Sequence, residues 1–511
     1  MIRSTYCAIT MVRHWSDRYL SMIRKVLLTA ISLATVMLTA PTGAMAAVED
    51  DIPDMGSLAD TVISKNKATQ IGRGVLMQLR QQDQIIEDPE TDEYISSLGH
   101  ILAAQAHDGD QRFKFFVVNE NTINAFALPG GYIGVNSGLI LETDSESELA
   151  GVMSHEIAHV TQNHIARRVA AQGRSSLLSM AAVVAAIAMG ATGNASGEAV
   201  QATIMGAQGL AAQSSINYTR ENEYEADRVG IQILSSAGYD PMGMPEFFET
   251  MGRLSGQMAN RVPEFLLTHP VSSTRIAETR ARAETLPPPI NAESIDYRLA
   301  RARLRVLSAR SAEDAVRYFR SRLEKSSEPF PYLRYGLALA LMRNGEPEQA
   351  IKILHELRAE DESVIAFHSL YGQALMAAQQ PNESVLTFEQ ALMLFPRNVP
   401  LTVRYGEALM TAGQYDRAHE ILLDLFNNTP PTPSQVKLIA NAAGAAGQNA
   451  EAHYYMCEYY LLNANVQLAV GQLNLALQQP NLQDVQRARF EARRAQLVRY
   501  LPKKQQEGAQ G

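Results

Sequence analysis

The sequence predicts a mainly α-helical protein in two parts, an α+β domain followed by a solenoid of paired helices. Three observations carry this reading. Two short strand-like runs, 113–118 and 132–135, precede a helical stretch that begins near residue 145. Beyond residue 290 the chain reads as helix to its end and repeats with a period of 34 residues. Leu286-Pro287-Pro288-Pro289 separates the two regions. At 511 residues the chain exceeds what one hydrophobic core holds, so more than one domain is expected.

The N-terminus reads as an export leader. Arg24-Lys25 is a positive region, residues 26–40 are apolar, and Ala44-Met45-Ala46 is a small-x-small cleavage site. The expected organisation is a signal peptide over 1–46, a catalytic domain over 47–286 and a repeat domain over 287–511. Met22 stands just before the basic pair, so residues 1–21 need not be translated. The leader carries five basic residues and one acidic, so the mature chain is more acidic than the net −9 of the whole. Such a chain is a poor nucleic-acid binder, and no nucleic-acid role is expected. Cys457 is the one cysteine left after the leader, so no internal disulfide is expected. The implied compartment is the periplasm. Residues 177–191 are apolar but short of a membrane span, so no transmembrane helix is expected in the mature chain. A buried helix is the favoured reading there; the alternatives are a mobile segment over the active site or a peripheral membrane contact.

The motifs that carry chemistry lie between these landmarks. Asn124-Ala125-Phe126-Ala127-Leu128-Pro129-Gly130-Gly131-Tyr132-Ile133-Gly134-Val135 reads as a chain turning tightly at Pro-Gly-Gly into a strand. Ser145 and Glu148 form a capping box that opens the next helix. That helix carries His155-Glu156-Ile157-Ala158-His159. Residues four apart share a helix face, so both imidazoles can reach one metal ion, with Glu156 beside it to take a proton from water. A catalytic zinc needs a third protein ligand and an open position. Asn222-Glu223-Tyr224-Glu225-Ala226-Asp227 offers Glu223 as that ligand and Asp227, one turn on, as its support; Glu225 faces away, solvated or paired. His164 falls off the ligand face and reads as a surface residue.

H-E-x-x-H followed by E-x-x-A-D and preceded by N-A-F-A-x-P-G-G-x-I-x-V resembles the membrane-linked zinc peptidases of the HtpX and CaaX-prenyl-protease group. The resemblance implies a zincin-like α+β metallopeptidase domain that binds one zinc ion per chain through His155, His159 and Glu223. It implies Glu156 as general base and Asp227 as proton donor, although orientation or electrostatic help serves Asp227 equally well, because a carboxylate is ionised near neutral pH. Tyr132, Ile133, Gly134 and Val135 match the edge strand on which the family aligns an extended substrate. The pattern Thr268-His269-Pro270, followed by Arg275-Ile276, also occurs in the family. His269 is then a structural histidine, an oxyanion donor, or a fourth metal ligand that latches the enzyme shut. Periplasmic, repeat-bearing members of the group imply outer-membrane beta-barrel proteins as clients and the barrel-assembly machinery as partner. Their activity would be endopeptidase with chaperone-like function, or, as the alternative, a repeat-based adaptor whose proteolysis is secondary and latent.

The repeats are read from columns of small residues. Ala350, Ser384, Ala418 and Ala452 are spaced by 34, as are Ala338, Gly372, Gly406 and Ala440, and Gly345, Gln379, Gly413 and Gly447. This is the period of the tetratricopeptide repeat, whose small residues sit where two antiparallel helices cross. Residues 294–325 read as a further, divergent helix pair, and the last helix, near 487–500, as a cap. The arginine-rich helices near 298–310 and 487–499 read as solvated faces, or as sites for an acidic partner.

Overall fold

The computed structural model describes residues 64–106, 111–172, 220–257 and 263–501, within a compact unit spanning Gly56–Gly511. The expected leader and the apolar run 177–191 lie outside the described residues. Among the described residues no helix is long and apolar enough to cross a membrane.

The N-terminal part opens with α1 (Lys65–Gln81) and α2 (Pro89–Ala103). Asp88 starts α2 by accepting from the Thr91 amide, with Pro89 in the first turn where its missing N–H costs nothing. Three strands follow, β1 (Lys114–Val118), β2 (Ala125–Leu128) and β3 (Tyr132–Asn136). Strands β1 and β3 pair in parallel, and β2 pairs antiparallel to β3, giving the order β1-β3-β2. Strand β3 is therefore central, which corrects the expectation that Tyr132, Ile133, Gly134 and Val135 form the edge. The run 132–135 reads locally as a strand, but only tertiary pairing, with β1 on one side and β2 on the other, makes it the central one. The edge is β2. The hairpin requires its glycines: both have φ of 81°, and a Cβ on Gly130 would meet the Thr69 backbone at 2.5 Å.

After β3 come α3 (Ser137–Glu142), α4 (Glu146–Thr161) and α5 (His164–Gln172). Ser145 caps α4 through the Glu148 amide, while Glu148 accepts from the Asp144 amide at 2.7 Å rather than from the N-cap itself. Helix α4 is buried almost all round, enclosed by β2 and by α6 (Arg220–Ser236) and α7 (Gly243–Gln257). Gly230 lets α6 approach, since a Cβ there would lie 3.0 Å from the His155 amide nitrogen. The short α8 (Glu264–Thr268) and α9 (Ser273–Ala283) complete this part. Ile95, Ile133, Leu149, Met153 and Phe247 lie at the centre of its core.

Helices α10 (Ile295–Leu307) and α11 (Ala312–Lys325) lead into four pairs: α12 (Pro331–Arg343) with α13 (Pro347–Glu360), α14 (Ile365–Ala377) with α15 (Pro381–Leu394), α16 (Val399–Thr411) with α17 (Tyr415–Asn428), and α18 (Pro433–Ala445) with α19 (Asn449–Leu462). Corresponding helices begin 34 residues apart, as the small-residue columns require. Helices α20 (Val466–Leu477) and α21 (Asp484–Val498) end the stack. The within-pair turns sit at Gly345, Gln379, Gly413 and Gly447, all with φ between 61° and 80°. Gly372 packs its bare Cα against Phe388 of its own pair, whereas Gly336 packs against Phe319 of α11. Gly336, two residues ahead of the Ala338 column, thus serves a different contact from Gly372.

The N-terminal and repeat parts share a wall. Tyr297 and Leu304 of α10 belong to the N-terminal core, while Leu299, Ala302 and Val306 of the same helix belong to the repeat core. The start of α2 is gripped by the repeats. Arg303 donates to both Asp88 oxygens at 2.6 Å, and Glu90 accepts from Ser369 at 2.6 Å, Gln373 at 2.9 Å and Arg404 at 2.8 Å. At the far end, Gln81 donates to the Asn463 carbonyl at 2.9 Å.

Candidate metal centre

Helices α4 and α6 and the turn after α8 converge on one buried cluster. His155, His159, Glu223 and His269 each offer a ligand atom, and these atoms all lie within 4.8 Å of one another. The Nε2 atoms of His155 and His159 are 3.0 Å apart, as one helix turn between them dictates. Glu223 Oε1 lies 3.4 Å from His159 Nε2, and its Oε2 lies 3.5 Å from His155 Nε2. His269 Nδ1 is 3.2 Å from both Glu223 oxygens and 3.4 Å from His155 Nε2. His269 is thus inside the cluster, and it is only 1% exposed.

Glu156 lies beside these groups. Both of its oxygens are buried without a well-formed hydrogen bond. His269 Nε2 stands 3.3 Å from Oε1, and the Ala127 amide of β2 is close enough to favour the charged form. Burial nevertheless pushes the Glu156 carboxyl above its ordinary range.

A second layer of polar and charged side chains surrounds the cluster. Asp227 Oδ1 lies 3.0 Å from His155 Nδ1, in ionic contact though not aligned as a hydrogen bond. Arg275 grips Asp227 with two bonds of 2.7 Å, reaches Glu223 Oε2 at 2.9 Å, and donates to the Pro270 carbonyl at 2.9 Å. It therefore ties together Glu223, Asp227 and the residue after His269. The motif Thr268-His269-Pro270…Arg275 was the only signal that could have found it. On the other side, His159 Nδ1 is 2.8 Å from His164 Nδ1, His164 Nε2 is 3.2 Å from Glu225 Oε2, and Arg167 donates to Glu225 at 2.9 Å. His164 is fully buried, which corrects its expected place on the surface. The helix breaks at Asn163, with φ of 54°, so His164 starts α5 and folds back instead of continuing the face of α4.

These contacts set the charge states. Burial would lower the pKa of His155, but the Asp227 and Glu223 carboxylates outweigh it and hold it up at about 9. Burial and the neighbouring His155 push His159 well below the usual imidazole range, so it is neutral. Burial would raise Glu223 and Asp227, yet His269 and His155 for the first, and Arg275 and His155 for the second, keep both ionised. Two imidazole Nε2 atoms and a carboxylate converging in a water-poor site, with an orphaned carboxylate next to them, suit a divalent cation of borderline softness.

Comparison with known proteins agrees with this geometry. The model of Peptidase family M48 matches residues 89–283, and that of a tetratricopeptide repeat matches 306–374 and 375–442. The Beta-barrel assembly-enhancing protease of Escherichia coli (strain K12) is 33% identical over 92% of this chain and 95% of its own. That of Yersinia pestis is 30% identical over 92% and 97%. The Mitochondrial metalloendopeptidase OMA1 of Arabidopsis thaliana is 27% identical over 45% of each chain.

Proposed function

The chain belongs to peptidase family M48, with the beta-barrel assembly-enhancing proteases, and from that membership we propose that it is a zinc-dependent endopeptidase of the periplasm that acts on outer-membrane beta-barrel proteins during their assembly. It is a metalloendopeptidase by family; zinc, the compartment and the clients are the proposal. The observation that carries it is the buried cluster of His155, His159, Glu223 and His269 with Glu156 alongside.

His155, His159 and Glu223 would hold the ion. Bound there, zinc would acidify a water and polarise the scissile carbonyl. Glu156 accepts the proton of the attacking water and returns it to the leaving amine; its raised pKa makes it a better base than a solvated carboxylate. Asp227 is ionised and clamped by Arg275, so it orients His155 instead of donating a proton. The edge strand β2, with Ala127 next to Glu156, is where an extended substrate adds by backbone pairing.

His269 favours a second component to this reading. As a fourth donor it closes the position that an open catalytic site keeps free, so the enzyme rests latent until His269 moves. In that resting state the repeats act as adaptor and chaperone, engaging clients and docking on the barrel-assembly machinery. Chelation followed by zinc return, scored by cleavage of an unfolded barrel protein, tests the reading. Loss and recovery of cleavage are expected, and cleavage indifferent to chelator would overturn it.

A further inference from the structure

Helices α10 and α11 meet in a cleft with an unusual charge. Arg298, Arg301 and Arg305 project from one face of α10, spaced three and four apart. Tyr318, Arg322 and Lys325 project from one face of α11, spaced four and three apart. These side chains line a cavity of about 330 Å³ to which no acidic residue contributes. Two of its cations are already engaged: Arg298 pairs with Glu293 at 2.7 Å, and Arg301 donates to the Leu141 carbonyl at 2.7 Å. Arg305 and Arg322 both stack on the Tyr318 ring, at 5.4 and 5.5 Å from its centroid. Neither they nor Lys325 has a carboxylate partner among the described residues. Five cations converge in a chain whose net charge is −9. Like charges held together in a cleft repel one another and concentrate the field on an incoming anion.

We propose that this cleft binds an acidic peptide segment of another protein, its carboxylates on Arg305, Arg322 and Lys325 and an intervening apolar side chain on the floor. The proposal rests on the repeat-flanking helices as a docking platform and not on the metal chemistry. Three features select the occupant. The stacked guanidiniums are pre-oriented on Tyr318 with N–H edges left to grip carboxylates in pairs. The same cavity has an apolar floor of Phe319 and Leu333 with aromatic walls of Phe330 and Tyr332, which a bare phosphate would leave unused. Its volume lies at the lower end of ligand sites, roughly 300–1,000 Å³, suiting a few side chains and not a folded surface. The repeat face that grips α2 is a different surface, where Arg303 and Arg404 already bind Asp88 and Glu90 of the chain itself.

The probe is a short fluorescein-labelled peptide of alternating Glu and Phe, titrated by anisotropy into the full chain carrying Glu156→Gln so that the probe survives. Saturable binding that weakens with salt is expected. Arg322→Glu with Lys325→Glu, both exposed on α11, should weaken it about ten-fold while metal content stays unchanged. Equal binding of the counterpart with Gln for Glu, or equal binding by the doubly substituted protein, would overturn the proposal. So would tighter, Arg322-dependent binding of inorganic phosphate or of phosphatidylglycerol vesicles, which would make this a phosphate site.

Discussion

His164 Nδ1 sits 2.8 Å from His159 Nδ1, and this single contact decides which ring nitrogen of His159 is left for the cluster. If His164 presents N–H to Glu225, its Nδ1 accepts from His159 Nδ1–H, and His159 Nε2 is left with its lone pair toward the cluster. His164→Ala should therefore loosen the metal by ~10–100-fold with the fold intact. Competition with a chromogenic chelator measures it, and His164→Asn should recover part of the loss. Unchanged affinity in both variants would show that the contact is only packing.

Glu156→Gln should lower cleavage by ~10²–10⁴-fold, since it removes the proton acceptor and not a ligand. Metal content and melting temperature should stay at wild-type values. If outer-membrane assembly in cells carrying this variant is fully normal, proteolysis is secondary to the adaptor role.

If the proposed latch holds, His269→Ala should raise basal cleavage, because it removes the fourth donor from the cluster. Initial rates on an unfolded barrel protein are the readout. Unchanged cleavage would sink the latch, and loss of cleavage would assign His269 to the oxyanion.

Metal removal should make stability depend on pH in a defined window. In the metal-free site His155 keeps its proton up to about 9 against an ordinary 6.5. A raised imidazole pKa gives stability that is fully present below 6.5 and lost as pH rises through about 9. The chelated protein should melt at falling temperature across that interval while the metal-loaded protein does not. Metal affinity should rise over the same interval, because binding expels the proton.

The grip of the repeats on α2 should fail in acid. Burial would raise Glu90, but Arg303 and Arg404 hold its carboxyl far below its usual range. A depressed carboxylate contributes stability above the unfolded value of about 4.3, lost as pH falls toward the folded value. Arg303→Met leaves Asp88 and Glu90 under-paired in a buried site and should cost about 3 kcal/mol by chemical denaturation at pH 7.

What could be read from the sequence follows the range of each interaction. His155 and His159 were legible because one helix turn fixes their relation, and Glu223 because its helix repeats the same spacing. The 34-residue columns gave the period that the helix starts at 331, 365, 399 and 433 follow, because each repeat contacts mainly its neighbours. Gln379 shows a limit of that logic: it adopts the left-handed turn, with φ of 61°, without the glycine that marks it elsewhere. His164 was misplaced because the helical period was carried across a break at Asn163. The rank of β3 in the sheet and the reach of Arg275 across to α6 depend on partners far along the chain, and no local pattern encodes them.

Helix α10 turns Tyr297 into one core and Leu299 into the other, so neither half can be melted alone without uncovering apolar surface on the other. A chain cut at Leu286 would give two fragments, each missing a wall or carrying a bare one. Heat should thus reveal one cooperative transition where two domains would suggest two, and a client pulling on the repeats would load the protease through a rigid beam and not through a tether.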